Sequence, residues 1–159
     1  MRLTIAGIGK IKEKWMRDGI AEYMKRLTPL AAVQILEQDE EKMPPAPSEA
    51  IREKVMEKEG EKILKFVGAE DYVILLDTGG KELSSPELSR LLEKQMTAGK
   101  SRFTFLIGGP FGNGSNLRAR ADYRLCLSPM TFTHQMTRLI LAEQLYRAMK
   151  IMRREPYHL

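Results

Sequence analysis

The run Tyr72-Val73-Ile74-Leu75-Leu76-Asp77 (YVILLD) is apolar up to its last residue, and Arg102 to Ile107 (RFTFLI) is a second such run. A strand that helices cover on both faces has a continuous apolar sequence, because neither face meets water. These two runs therefore predict interior strands of a parallel sheet that is buried on both sides.

The segments around the two runs alternate between strand and helix patterns. Alternation of apolar residues and bordering turn residues predict further strands over 2–9, 32–38 and 123–127. Helical spacing and capping residues predict helices over 12–27, from Ser48 to Gly68, from Ser85 to about Thr97, and onward from Thr131 or Thr133. Trp15 and Tyr23 fall on the apolar side of the first helix, which predicts that both lie in the core. The expected fold class is α/β, a mostly parallel sheet with helices on both faces.

Length and composition favour one cytoplasmic domain. The 159 residues fit a single domain over 1–159. The first apolar run, Leu3 to Ile8, is too short for a membrane span or a signal peptide, so we expect no membrane association. Cys126 is the single cysteine and only two histidines are present, so no Cys/His zinc cluster can form and we expect no metal.

Positive charge is concentrated in the C-terminal part of the chain. Residues 101–159 hold 9 of the 26 Lys and Arg but only 3 of the 21 Asp and Glu, and all but one of the nine are arginines. The planar guanidinium group suits phosphate, so this bias is compatible with a polyanionic partner. A solvated basic surface explains the charge equally well.

Several common motifs are absent. Gly7-Ile8-Gly9 follows a strand, but Lys12 stands where a dinucleotide fingerprint needs a small residue. Gly99-Lys100-Ser101 resembles the end of a P-loop, but Lys94 replaces its first glycine. The nucleotide-triphosphatase and serine-hydrolase signatures are therefore missing.

The residues that could bind a ligand lie at three predicted strand ends: Leu76 to Gly79, Ile107 to Pro110, and Leu127 to Phe132. Ligands of open α/β sheets bind beyond the carboxyl ends of the strands. Glycines there let a ligand approach the backbone, and neighbouring apolar side chains could hold an adenine ring. A simple tight turn at Gly108 and Gly109 is the competing interpretation.

Four motifs match a known family in order and spacing. They are Ile107-Gly108-Gly109-Pro110, Leu127 to Arg138 (LSPMTFTHQMTR), Ala142 to Ala148 (AEQLYRA) and Pro156-Tyr157-His158. On these motifs the chain resembles the 23S rRNA pseudouridine N3-methyltransferases, which belong to the SPOUT class of knotted methyltransferases. Phe111, Thr133 and Leu159 depart from the family pattern, and the last of these concerns one RNA contact at the tail.

The resemblance implies a C-terminal deep trefoil knot, a homodimer, and S-adenosyl-L-methionine as cofactor. True knots are rare in proteins, so composition and periodicity alone would predict an unknotted chain. The implied cofactor-binding residues are at the three strand ends: Leu76, Gly108, Leu127, Ser128, Pro129, Met130, Thr131 and Phe132. His134 is expected to help shape this loop.

The implied catalytic residues are Glu143, Arg147, Tyr157 and His158. Glu143 and Arg147 are spaced i,i+4, so an ordinary surface ion pair is the simpler interpretation of the spacing. His158 is the candidate base, because only histidine has an ordinary pKa near neutrality. Pro156 ends the last helix, and we predict that an extended tail turns outward and completes the site of the partner subunit.

The expected reaction is methylation of a pseudouridine in a stem-loop of large-subunit rRNA, with the assembled ribosome as the plausible substrate. Two alternatives stay open: a SPOUT methyltransferase that acts on tRNA, and a non-catalytic RNA-binding factor of ribosome assembly. The tRNA alternative predicts methyl transfer to tRNA, and the binding factor predicts no cofactor binding.

Overall fold

A computed structural model describes residues 1–157. Strands and helices alternate along the chain. The predicted strands and helices are present, together with a short fourth helix that was not predicted. The elements are β1 (Arg2–Ile8), α1 (Lys14–Leu27), β2 (Ala32–Gln38), α2 (Glu49–Leu64), β3 (Tyr72–Glu82), α3 (Ser85–Thr97), β4 (Arg102–Ile107), α4 (Ser115–Arg120), β5 (Tyr123–Cys126) and α5 (His134–Met152).

The five strands form one parallel sheet in the order β2-β1-β4-β3-β5. The two apolar runs are neighbours inside it, paired with Tyr72 opposite Phe103 and Leu76 opposite Ile107. Side chains alternate between the two faces of a strand. Both faces of β4 and of β3 up to Asp77 are buried, as the continuous apolar sequences predicted.

Helices cover the sheet on both faces, which confirms the predicted α/β fold class. On one face α1, α3 and α5 pack around a core that includes Phe103 and Phe105. On the other face α2 and α4 cover Val73, Leu75 and Leu106. Each such side chain stabilises the fold by about 1.5–3 kcal/mol through burial. The knot itself stays a prediction.

Local chemistry explains where the helices begin. The Ser84 hydroxyl accepts a hydrogen bond from the Glu87 N–H, and the Glu87 carboxylate accepts one from the Ser84 N–H, so Ser84 is the cap, one residue earlier than predicted. Ser48 caps α2 as predicted. Of the two candidates for α5, Thr133 is the cap, and its hydroxyl accepts from the Met136 N–H.

Two predictions about the first helix and the third strand need correction. Trp15 is 56% exposed, so it does not lie in the core, whereas Tyr23 is half-buried and packs against the core. The predicted strand end at Leu76 to Gly79 is a bulge between Leu76 and Lys81, beyond which β3 pairs with β5 again up to Glu82. No helix in residues 1–157 is long and apolar enough to cross a membrane.

Candidate active site

A cavity of about 890 Å³ lies at the carboxyl ends of β3, β4 and β5. Three segments form most of its wall, residues 76–78, 107–113 and 125–134 excluding Pro129, joined by Glu13 and Met16 from the start of α1. These segments contain the three strand ends that the sequence singled out. The parallel sheet brings them together because all carboxyl ends meet at one edge.

Seven of the eight predicted cofactor-binding residues line the cavity: Leu76, Gly108, Leu127, Ser128, Met130, Thr131 and Phe132. Pro129 lies between them in the chain but forms no part of the cavity wall in the described structure. The loop is held by its own atoms: the Ser128 hydroxyl accepts from the Met130 N–H, and the Cys126 thiol donates to the Ser128 carbonyl. The loop therefore presents its backbone along the cavity in a defined shape.

Gly108 lies in close contact with the loop that follows it. A Cβ atom at this position would lie 2.4 Å from Asn113 Oδ1 and 2.6 Å from the Gly112 carbonyl oxygen, so only glycine fits. The Asn113 amide in turn donates to the Leu76 carbonyl at 2.8 Å. A turn is present as well, with the Gly112 N–H bonded to the Gly109 carbonyl. Turn formation and a narrow cavity wall are thus properties of the same segment.

Arg138, which sequence reasoning missed as a site residue, anchors α5 at the cavity. Its side chain is fully buried, donates to Glu37 Oε1 at 2.8 Å and also donates to the Ile8 carbonyl. His134, one turn earlier, lines the cavity with its Nε2 3.3 Å from Glu40 Oε1. Burial and the Arg138 charge lower the pKa of His134, so its ring is neutral at pH 7. Both residues fix the start of α5 and thereby the loop 127–132 before it.

Asp77, Arg118 and Arg124 form an ion-pair cluster, here called the rim cluster, at the edge of the cavity. Asp77 is buried, and its Oδ2 accepts from Arg118 Nε at 3.1 Å and from Arg124 Nε at 3.0 Å. Burial raises the pKa of Asp77, but the Gly79 N–H and the two guanidinium groups outweigh it and leave this pKa below its usual value. Asp77 therefore stays ionised at neutral pH.

Three of the predicted catalytic residues meet on α5 and its C-terminal extension. Arg147 donates to Glu143 Oε1 from Nε at 3.0 Å and from Nη2 at 2.7 Å, and Tyr157 donates to the same oxygen at 3.2 Å. The Arg147 guanidinium lies 4.8 Å from the centre of the Tyr157 ring. Burial raises the pKa of Tyr157 to about 12, with the neighbouring Tyr23 and Glu143 adding to the shift. The Tyr157 hydroxyl is therefore protonated at neutral pH and acts as a donor.

The predicted outward path of the tail is wrong for Tyr157, which folds back on its own helix. Arg154 adopts a left-handed backbone with φ of 55°, and the Glu155 N–H bonds to the Lys150 carbonyl, which reverses the chain after α5. An ion pair between Lys150 and Glu155 holds the reversal, and the Tyr157 ring packs on the Tyr146 ring at 4.8 Å. His158, the candidate base, and Leu159 lie outside the described residues.

The cavity and the cluster of Glu143, Arg147 and Tyr157 lie apart within one chain. Glu143, Arg147 and Tyr157 form no part of the described cavity wall, whereas His134 does. Thr137 is the last residue of α5 in this wall. A helix rises 1.5 Å per residue, so Glu143 lies about 9 Å and Arg147 about 15 Å further along α5. A molecule in the cavity is therefore separated from the cluster of the same chain.

Within residues 1–157, no group of three His, Cys, Asp or Glu side chains is arranged to hold a metal ion.

Comparison with known proteins agrees with the geometry. The family described as "Predicted SPOUT methyltransferase" matches residues 1–158. The chain is 48% identical over 158 residues to the ribosomal RNA large subunit methyltransferase H of Carboxydothermus hydrogenoformans, and 49% identical over 158 residues to the protein of the same name from Halothermothrix orenii. Both matches cover 99% of this chain and 99% of the relative. This chain belongs to the SPOUT methyltransferase family.

Proposed function

We propose that this protein transfers a methyl group from S-adenosyl-L-methionine to the N3 atom of a pseudouridine in large-subunit 23S rRNA. The observation that carries the proposal is the cavity at the carboxyl ends of β3, β4 and β5, lined by the same loops that carry the family motifs. The relatives at 48% and 49% identity are named for methylation of large-subunit ribosomal RNA, which supports the RNA class. We place this methyl transfer to ribosomal RNA in the cytoplasm.

The described cavity fits S-adenosyl-L-methionine. A volume of about 890 Å³ is within the range of small-molecule sites, and the wall combines apolar side chains with turns that expose backbone groups. Gly108 has no side chain, which lets the loop up to Asn113 pack closely against the end of β4 and shape this part of the wall. Leu76, Gly108 and the loop 127–132 would hold the cofactor, which supplies an activated methyl group when bound.

The residues of the chain then have to orient the base and manage one proton. Methyl transfer is an in-line displacement, so alignment at near-attack distance is the main contribution of the protein. The imide nitrogen of a uracil-type base is protonated at neutral pH, and its proton must leave. His158 is the proposed acceptor of that proton.

Glu143, Arg147 and Tyr157 would stabilise the base while the proton leaves. The Arg147 guanidinium is oriented by two hydrogen bonds to Glu143, and its charge would favour negative charge that develops on the carbonyl oxygens of the base. Tyr157 is excluded as the base at neutral pH, because its pKa of about 12 keeps the hydroxyl protonated. Its O–H would instead donate to Glu143 or to the RNA.

We further propose that the protein acts as a homodimer in which the cluster of one subunit serves the cavity of the other. The separation of about 9–15 Å along α5 between Thr137 in the cavity wall and the Glu143 and Arg147 positions supports this arrangement, since the cluster of one chain does not line its own cavity. Large apolar side chains of the cavity wall are exposed, namely Met130 at 73%, Phe111 at 46% and Phe132 at 37%. A second copy would remove such surface from water.

Methyl transfer from tritiated S-adenosyl-L-methionine tests the proposal. The protein is incubated separately with tRNA, free rRNA, large ribosomal subunits and whole ribosomes, and the labelled nucleoside is identified by mass spectrometry. We expect label in N3-methylpseudouridine of large-subunit rRNA, with assembled particles as the better substrates. Label confined to tRNA would favour the other SPOUT activity. Absence of cofactor binding would favour a non-catalytic assembly factor.

A further inference from the structure

The rim cluster leaves hydrogen-bond donors that Asp77 does not use. Arg118 and Arg124 both contact Asp77 Oδ2 through Nε, and Arg124 also contacts it through Nη2. Among residues 1–157 the two Nη nitrogens of Arg118 and Nη1 of Arg124 have no protein partner. The two side chains are 46% and 43% exposed, so these donors face solvent.

The positive and negative charges of the rim cluster also do not balance. Two guanidinium groups share one carboxylate, which leaves a net charge of +1 on three converging side chains. Asp77 holds the two like charges close together and fixes their planes, since its side chain is only 4% exposed. An anion placed between the outer N–H groups would relieve the repulsion and use both planar donor sets.

The position of the rim cluster indicates which anion it fits. Arg118 lines the cavity, whereas Arg124, on β5, forms no part of the described cavity wall. The pair therefore spans from the cavity edge to the outer surface. A small molecule inside the cavity could reach only Arg118, while a chain that enters the cavity from outside would pass both arginines.

We propose that Arg118 and Arg124 form a phosphate-binding site for the RNA substrate, which takes a backbone phosphodiester next to the base that enters the cavity. This inference rests on the proposed function, since it assumes that the substrate is RNA. The two arginines position the RNA backbone and take no part in the chemistry of the methyl group.

The test compares Arg118→Gln, Arg124→Gln and the double variant with Arg102→Gln. Arg102 is a matched control, because it also pairs with a buried aspartate, Asp71, and is 42% exposed, but lies at the opposite end of the sheet. Binding of purified large ribosomal subunits is measured by co-sedimentation at several KCl concentrations and constant Mg²⁺. Calorimetry with S-adenosylhomocysteine measures the cavity separately.

We expect each rim variant to weaken ribosomal-subunit binding about tenfold and to lower the slope of log affinity against log salt by about 1, with Arg102→Gln unchanged. Arg124→Lys, which keeps the charge, should restore much of the loss. Affinity for S-adenosylhomocysteine should stay the same in Arg124→Gln and Arg102→Gln, since neither arginine forms part of the described cavity wall. Circular dichroism of each variant confirms that the fold is retained.

Unchanged ribosomal-subunit affinity and salt slope in the folded double variant would overturn the inference while leaving the proposed function intact. Loss of S-adenosylhomocysteine binding in Arg118→Gln, with ribosomal-subunit binding unchanged, would assign the site to the cofactor carboxylate instead. If the parent protein bound S-adenosylhomocysteine but neither bound nor methylated any ribosomal RNA, the proposed function and the inference would both fail.

Discussion

The two ends of the parallel sheet use the same residue type in different ways. Asp71, just before β3, and Asp77, in the same strand beyond its central run, are equally buried at 7% exposure. Asp71 accepts from the Gly68 N–H and the Thr104 hydroxyl and pairs with one arginine, Arg102. Asp77 accepts from the Gly79 N–H and pairs with two arginines at the cavity edge.

The difference indicates that the polar groups at the amino ends of the sheet contribute to stability, whereas those at the carboxyl ends are available to bind a ligand. At the amino ends the polar groups satisfy one another around a space of about 250 Å³. At the carboxyl ends a cavity of about 890 Å³ stays open, and the charges around Asp77 are not balanced. We therefore expect substitutions at the amino ends to change stability alone, and those at the carboxyl ends to change binding.

The largest effect is expected from a side chain at Gly108. Gly108→Val should abolish S-adenosylhomocysteine binding in calorimetry, because its Cβ would overlap Asn113 and the Gly112 backbone at 2.4–2.6 Å. Gly68→Ala is the control at the amino ends, where a Cβ would lie 3.0 Å from Asp71 Oδ1, and it should bind normally. Parent-like affinity in folded Gly108→Val would contradict the assignment of the cavity.

Deletion of residues 157–159 should lower methyl transfer by about 10²–10⁴, the usual contribution of a positioned acid–base group. Cofactor affinity should change little, because Tyr157 contacts Glu143 and Tyr146 instead of the cavity wall. Single-turnover rates with saturating cofactor measure the effect. A deletion variant with full activity would remove the tail from the catalytic site.

Alanine substitutions at the two aspartates should reveal a smaller difference in stability. Asp71→Ala leaves the Thr104 hydroxyl, which is 1% exposed, without its acceptor and should cost about 2–3 kcal/mol. Asp77→Ala should cost less, about 1 kcal/mol, since Arg118 and Arg124 can turn to water. Urea unfolding measures both, and a larger loss for Asp77→Ala would reverse the assigned roles of the two ends.

The smallest effect concerns pH. The folded-state pKa of Asp77 is lowered, so its contribution to the free energy of unfolding is present above the unfolded pKa of about 3.9 and is lost as pH falls below it. Asp77→Asn should therefore be less stable than the parent at neutral pH and should lose less stability on acidification to about pH 3. An equal acid sensitivity of both proteins, measured by urea unfolding, would show that Asp77 is not held ionised by its neighbours.

The sequence was sufficient to predict what depends on continuous local pattern. The apolar runs of β3 and β4 indicated buried interior strands, and the glycine-containing strand ends indicated the cavity wall. The sequence missed α4, because its first turn depends on Glu57, whose carboxylate accepts from Ser115 N–H at 2.5 Å across 58 residues. No local signal gives such a contact.

Side-chain environment was harder to predict than backbone pattern. Trp15 has helical spacing with apolar residues, yet the packing of α1 leaves it exposed. Arg138 gave no sign of burial, because its partners are Glu37 and the Ile8 carbonyl, which only the folded sheet brings to α5. Tyr157 was predicted to extend outward, since the ring contact with Tyr146 and the left-handed Arg154 are tertiary features.

We propose that a complete site needs two copies of the chain. This proposal is tested most directly by a purified mixed dimer that pairs one subunit lacking residues 157–159 with one Gly108→Val subunit. The cavity of the first and the cluster of the second then form one intact site, so we predict methyl transfer at about half the activity of the parent dimer. Absence of activity in the mixed dimer, with both subunits folded, would contradict action across the interface.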